Sequence, residues 1–222
     1  FPALGLSTLT TAKESDPWQR AANIAKQFSK PIQFAKRDFP ITKFGAETCE
    51  IIAVSAQIAS DTEGAIEGSV VTPKAGSHDC YEAIKLAIQA CNKAGGGRVL
   101  IPAGNWYCAG PIRMRSHVHL HLAANAHVFF SANPADYAKY GDIDCGKNGK
   151  LVISRWQGND CLNYSPMVYA YGENNIAITG EDWSSILDGQ GGTLFENGAG
   201  NWWEWKGRKN PKKPIVNSEV NV

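Results

Sequence analysis

Gly95-Gly96-Gly97-Arg98-Val99-Leu100-Ile101-Pro102-Ala103-Gly104-Asn105-Trp106, then Ala109-Gly110-Pro111-Ile112-Arg113-Met114, then His117-Val118-His119-Leu120-His121-Leu122: over these residues the chain turns from helical to extended patterning. Residues 117–122 alternate without error, so Val118, Leu120 and Leu122 share one face of a strand and His117, His119 and His121 the other. Residues 98–101, 106–108 and 112–114 read as three more short strands, the first two joined by a turn at Pro102-Ala103-Gly104. Downstream, 126–130, 167–170, 176–179 and 185–187 continue the series. Their connections contain Asn125, Gly172, Asn174, Asn175 and Gly180, residue types that tolerate the left-handed backbone of a sharp corner. A hairpin sheet would need two-residue primed turns and longer arms, whereas in a solenoid each short strand is one side of a rung. The predicted fold is therefore all-β, a right-handed parallel β-helix.

Upstream lies its expected lid. Asp79 and Glu82 form a capping box, Cys80, Ala83, Ile84, Ala87, Ile88 and Cys91 line one helical face, and Gly95-Gly96-Gly97 ends the helix. Such a helix would cover the open N-terminal end of the coil. A first helix starts at Asp16, with Pro17 at its first position and Gln19 completing a capping box; Trp18, Ala21, Ala22, Ala25 and Phe28 form its stripe and Pro31 stops it. Residues 39–44 read as a strand, and 47–77 as an insertion with local β structure. Residues 1–12 carry no charge and finish in Thr10-Thr11-Ala12, which reads as a signal-peptide remnant and predicts a secreted or periplasmic protein. Residues 13–222 then read as a single domain, with 47–77 inserted in it.

With 22 basic and 21 acidic residues among 222, the net charge of +1 gives no global field for nucleic acid or an anionic membrane. No window is long enough for a membrane-spanning helix. Seven Trp and 22 Gly suit tight turns and a surface that grips sugar rings, and the Trp residues equally suit a core. Six Cys residues contain no Cys-x-x-Cys pair, so zinc is not expected, nor any other cofactor. Cys80 and Cys91 would lie roughly 16 Å apart along one helix, too far to bridge; pairing among the others stays open.

Taken together, the helix, the Gly-rich entry and the strands at 95–122 resemble the polygalacturonases, family 28 of the glycoside hydrolases. The resemblance runs on through Ser154-Arg155-Trp156-Gln157-Gly158, Asn163-Tyr164-Ser165-Pro166-Met167-Val168-Tyr169-Ala170, Asn175-Ile176-Ala177-Ile178-Thr179-Gly180, Leu187-Asp188-Gly189-Gln190-Gly191 and Trp202-Trp203-Glu204-Trp205-Lys206. It covers about residues 78–206 plus the first helix and the 39–42 strand, and looks nearest to bacterial exo-acting members. It implies a pectin-lyase-like solenoid with an N-terminal capping helix, and inverting hydrolysis of galacturonan or pectin. The family carries its catalytic Asp residues in Asn-Thr-Asp and Asp-Asp motifs, followed by Gly-His-Gly and Arg-Ile-Lys. None of the four occurs in this sequence. The family's order places them on later rungs, so the resemblance implies a truncated helix without catalytic residues of its own, an N-terminal fragment of an enzyme that is inactive alone.

Among the residues present, Arg155, Trp156, Gln157 and Tyr164 are the candidate substrate contacts. A guanidinium matches a galacturonate carboxylate with two parallel hydrogen bonds, and an aromatic ring stacks on a pyranose face. Equally, Trp156 and Tyr164 could serve only to pin a long loop at 134–166. Trp202, Trp203 and Trp205 with Lys206, Arg208, Lys209, Lys212 and Lys213 form a second aromatic and basic cluster, suited to a polyanion or simply to solvent. Asp142 and Asp144 have a spacing of roughly 6.8 Å on a strand, within the range of an inverting pair, but Gly141, Cys145 and Gly146 mark a solvated loop. The three alternating histidines could share a cation, but read better as a polar outer face; His78 and His127 read as structural. The expected partner is an acidic polysaccharide. The competing reading is a non-catalytic pectin-binding module; a calcium-dependent lyase would need acidic clusters that the sequence lacks.

Overall fold

The structure, a computed structural model, describes residues 16–29, 31–59, 65–156, 158–195 and 200–202. The signal-like residues 1–12 and the basic cluster beyond Trp202 lie outside them. The chain forms two compact units, residues 1–33 and 34–222.

In the first unit, α1 (Pro17–Gln27) is capped by Asp16, whose carboxylate accepts from Trp18 N at 3.1 Å. The expected capping box does not form. Gln19 points along the helix and donates to Asn23 at 3.3 Å. Trp18 and Phe28 are exposed.

The second unit begins with β1 (Asp38–Pro40) and a 3-10 turn at Ile41–Phe44, where sequence reading had expected one continuous strand. Pro40 has no N–H to extend a ladder, and Gly45, at φ 96°, closes the turn that buries Ile41. The insertion is a hairpin, β2 (Ile51–Ala59) paired antiparallel with β3 (Ala65–Pro73). Next comes α2 (Tyr81–Lys93), and the six positions expected to face inward are all buried. Its cap differs from expectation. Asp79 Oδ1 accepts from Tyr81 N and from Ala109 N, both at 2.9 Å, while Glu82 pairs with Lys85 at 3.0 Å. One carboxylate thus fastens the helix to the strands that follow. Asp79→Ala is expected to cost ~1–2 kcal/mol, because the partly buried Tyr81 amide and the exposed Ala109 amide lose their acceptor; a urea midpoint within error of wild type would refute it.

Strands β4 (Gly97–Ile101), β5 (Gly104–Cys108) and β6 (Ile112–Arg113) are followed by β7 (Val118–Leu122) and β8 (Ala126–Phe130). The chain then makes an excursion through α3 (Pro134–Tyr137), β9 (Ile143–Asp144), β10 (Lys150–Trp156) and β11 (Asn159–Asn163). It returns as β12 (Val168–Tyr169), β13 (Ala177–Gly180) and β14 (Ile186–Asp188). Every pairing among the returning strands is parallel: β1-β4-β7-β13 in one sheet, β5-β8-β14 in a second and β6-β12 in a third. Val99 lies beside Leu120 and Trp106 beside Val128, so the chain returns after 21 residues (99 to 120) and 22 (106 to 128). Ile112 meets Val168 only after 56 (112 to 168), the excursion being inserted between them.

The alternation is borne out: Val118, Leu120 and Leu122 are buried with Val99, Ile101, Trp106, Val128 and the inner face of α2. Gly-Gly-Gly does more than stop the helix. A Cβ at Gly96 would lie 2.6 Å from the His117 carbonyl, and one at Gly97 2.7 Å from that of Arg37, so glycine is what lets adjacent turns approach. Asn125 and Asn175 take the expected left-handed backbone. So does His117, which starts β7 one residue later than expected and turns its ring toward Asn175, 3.2 Å away.

Candidate functional site

Residues 134–166, within the excursion, are expected from the sequence to form a long loop. They carry instead an antiparallel sheet of their own, β11-β10-β9, in which Arg155 stands opposite Asp160 and Trp156 opposite Asn159. Arg155 Nε donates to Asp160 Oδ1 at 2.8 Å with both side chains exposed, so this guanidinium is pre-oriented yet open to exchange with another carboxylate. Trp156 ends β10, and Gln157 lies outside the described residues. Tyr164 follows β11 beyond the pair Val152–Asn163, four strand positions from Arg155, or roughly 13 Å. The structure therefore places Arg155 and Trp156 at the hairpin tip and Tyr164 at its base.

Two contacts anchor this arm to the parallel strands: Tyr169 Oη, on β12, donates to the Ile153 carbonyl at 3.1 Å, and Arg113, on β6, holds Asp142 through both terminal nitrogens at 2.8 and 2.5 Å. Within the arm, Lys150 N donates to the Ala138 carbonyl at 2.7 Å. Asp142 is thus an anchor. Asp144 accepts from Gly146 N at 2.9 Å, so the two carboxylates are separately engaged.

Where the arm meets β6 and β12 runs a groove of about 140 Å³, bordered by Arg113, Arg115, Asp142, Tyr169, Tyr171 and Glu173. Sequence reading missed it, although one signal was present. Ile112 and Met114 are buried, so Arg113 and Arg115 at alternate positions must point outward together. Arg113 lies 5.2 Å over the Tyr169 ring. Glu173 accepts from Ser116 Oγ at 2.5 Å and Ser116 N at 2.7 Å, and from Arg115 at 3.1 Å.

These bonds settle the protonation of both carboxylates. The Arg113 guanidinium holds Asp142 below the ordinary carboxylate range, and the Ser116 hydroxyl, with the Ser116 amide and Arg115, does the same for Glu173. A glycosidic general acid needs the opposite shift. Both groove carboxylates therefore remain ionised at neutral pH. Each lowered value adds stability that is complete above the unfolded carboxylate value, about 4, and is lost as pH falls through the folded one. Asp142→Asn is expected to flatten the acid limb of the melting-temperature profile. An unchanged slope in that variant would count against the anchor.

His119 and His121 converge on Thr179 Oγ1 at 2.7 and 2.8 Å. Among the described residues no group of three or more His, Cys, Asp or Glu could hold a metal, and no helix is long and apolar enough to cross a membrane. All six Cys residues are free thiols, and burial raises Cys80 and Cys91 to about 11. His127 pairs with Asp188 at 3.2 Å and stacks on Phe129. Trp202 packs edge-on against Tyr137 and Phe195.

The class defined so far is a protein of stacked parallel strands that carries an antiparallel arm beside an arginine–tyrosine groove. No family model matches the chain, and no curated protein does. Among solved structures it is similar to a hyperthermoactive exopolygalacturonase from Thermotoga maritima, at 27% identity and TM-score 0.59 over 86% of this chain and 32% of that one. It is also similar to a family 28 exopolygalacturonase of Yersinia enterocolitica (22%, TM-score 0.41, 66% and 20% of the two chains). A third is the surface adhesin PfbA of Streptococcus pneumoniae (19%, 0.32, 64% and 32%). The chain spans about a third of the Thermotoga structure, and an exopolygalacturonase is thus among its structural neighbours, in keeping with the sequence resemblance.

Proposed function

We propose that this chain is the N-terminal part of a polygalacturonase-type glycoside hydrolase, a right-handed parallel β-helix capped by α2, that acts on galacturonan or pectin by inverting hydrolysis outside the cytoplasm. The observation that carries this reading is the likeness to the Thermotoga exopolygalacturonase across most of the chain. The motifs that would supply the catalytic Asp pair are absent from these residues, and the groove carboxylates are held in the wrong protonation state for a general acid. The chain's own contribution is then to hold an acidic polysaccharide, through Arg155 and the aromatic side chains of the arm. The alternative, a non-catalytic pectin-binding module on the same scaffold, draws on that same pairing of the groove carboxylates. Finding the Asn-Thr-Asp and Asp-Asp motifs in the parent gene downstream of Val222 supports the hydrolase; a stop codon there leaves the module.

The purified chain is expected to be retained on immobilised polygalacturonate and to release no reducing sugar from it. Arg155→Ala should weaken retention by about threefold, the scale of an exposed ion pair. Retention no stronger than on a neutral galactan would overturn the substrate class, and turnover by the chain alone would overturn the placement of the catalytic groups.

A further inference from the structure

Between α2 and β6 lies a second cavity, of about 220 Å³, adjoining the groove through Arg113 and Arg115. Ile84, Ile88 and Ile112, almost wholly buried, lie beneath it, and the buried Tyr81 and the partly exposed Tyr140, with ring centroids 4.2 Å apart, border it. The polar groups that converge on it are Lys85, Gln89, Arg113 and Arg115; no Asp or Glu is among the described residues that line it. Each cation is steadied by a carboxylate standing outside the cavity: Lys85 by Glu82 at 3.0 Å, Arg113 by Asp142 and Arg115 by Glu173.

An apolar floor with a few convergent polar groups is the general form of a small-ligand site. A volume of about 220 Å³ is of the size of one sugar ring. The charge specifies the ring. Arg115 reaches Glu173 through Nη1, and a guanidinium has further N–H donors to offer. Lys85 sits on a helix face with 42% of its side chain exposed, where an ion pair exchanges readily. A carboxylate on the incoming ring would take charge-assisted hydrogen bonds from both, while its C–H face meets the partly exposed ring of Tyr140.

We propose that this cavity is an accessory binding site for a single hexuronate, its carboxylate held by Arg115 and Lys85 beside Tyr81 and Tyr140. This rests on the reading of the chain as a handler of acidic polysaccharide, and adds to it a separate one-sugar site under the capping helix.

The test is calorimetric titration of the full 222-residue chain with sodium D-galacturonate and with D-galactose, which keeps the ring and replaces the carboxylate by a neutral group. Galacturonate is expected to bind at least about tenfold more tightly than galactose, and Arg115→Met to weaken it about tenfold, the scale of a hydrogen bond to a charged group. Lys85→Met, at a partly exposed position of α2, should weaken it as well and guards against misfolding of the arginine variant. Equal affinity for the two sugars, or wild-type affinity in both variants, would overturn the site. Retention on polygalacturonate, measured in parallel, separates the two readings. If the chain is retained while both variants bind galacturonate like wild type, the cavity is not the site and the polysaccharide reading stands; if neither ligand binds, both fall.

Discussion

Leu120→Ala is expected to destabilise the chain by ~3–5 kcal/mol, the upper part of the range for emptying a buried leucine site. Leu120 is fully buried on β7, with Val99 beside it on β4 and Ile178 on β13, and parallel ladders fix its strand on both sides. The backbone therefore has little freedom to close over the void, which is the condition under which such a change costs most. Against a typical total of roughly 5–15 kcal/mol, a loss of this size approaches unfolding. His121→Ala, one residue along and on the opposite face, is the internal control; it should cost under about 1 kcal/mol. Urea melts of both variants decide the matter, the midpoint shift being read at constant slope. Equal destabilisation by the two would mean that the strand does not have one buried and one outer face.

Gly141→Ala is expected to cost ~3 kcal/mol or more and to free the arm from the parallel sheets. A Cβ at this position would overlap the backbone of Lys150 and Leu151. Neither can yield cheaply, because Lys150 N is bonded to the Ala138 carbonyl at 2.7 Å and the Leu151 carbonyl accepts from Asp142 N at 2.8 Å. Overpacking against side chains costs about 1–3 kcal/mol, and overpacking against hydrogen-bonded backbone lies at or beyond that limit. The next residue, Asp142, is the anchor to Arg113, so strain here acts on the link that fixes the arm. Limited proteolysis should show faster cleavage between residues 143 and 165, together with a lower denaturation midpoint. Unchanged proteolysis would mean that the arm is fixed by other contacts, such as that between Tyr169 and Ile153.

The arm also shows where sequence reading fell short. Its strands β10 and β11 are separated only by Gln157 and Gly158, a two-residue connection ending in glycine, with Gly158 at φ 86°. That hairpin signal is masked by the short strands on either side, whose spacing is that of the sides of a coil. The 3-10 turn after Pro40 was missed for a related reason: Ile41-Thr42-Lys43-Phe44 has strand composition, and only the positions of Pro40 and Gly45 oppose it. The groove could not have been assembled locally at all. Arg113 and Asp142 are 29 residues apart, and Arg115 and Glu173 are 58 apart.

What the chain's own residues determined is the inner face of α2, the interior column through Val118, Leu120 and Leu122, and the left-handed corners at Asn125 and Asn175. All of these are legible because side-chain periodicity and steric tolerance act over a few residues. Tertiary structure alone decided which strand lies beside which, and therefore which charges meet. Parallel pairing joins residues separated by a whole turn of chain, and an inserted arm changes that separation from 21 residues (99 to 120) to 56 (112 to 168) without altering any local pattern.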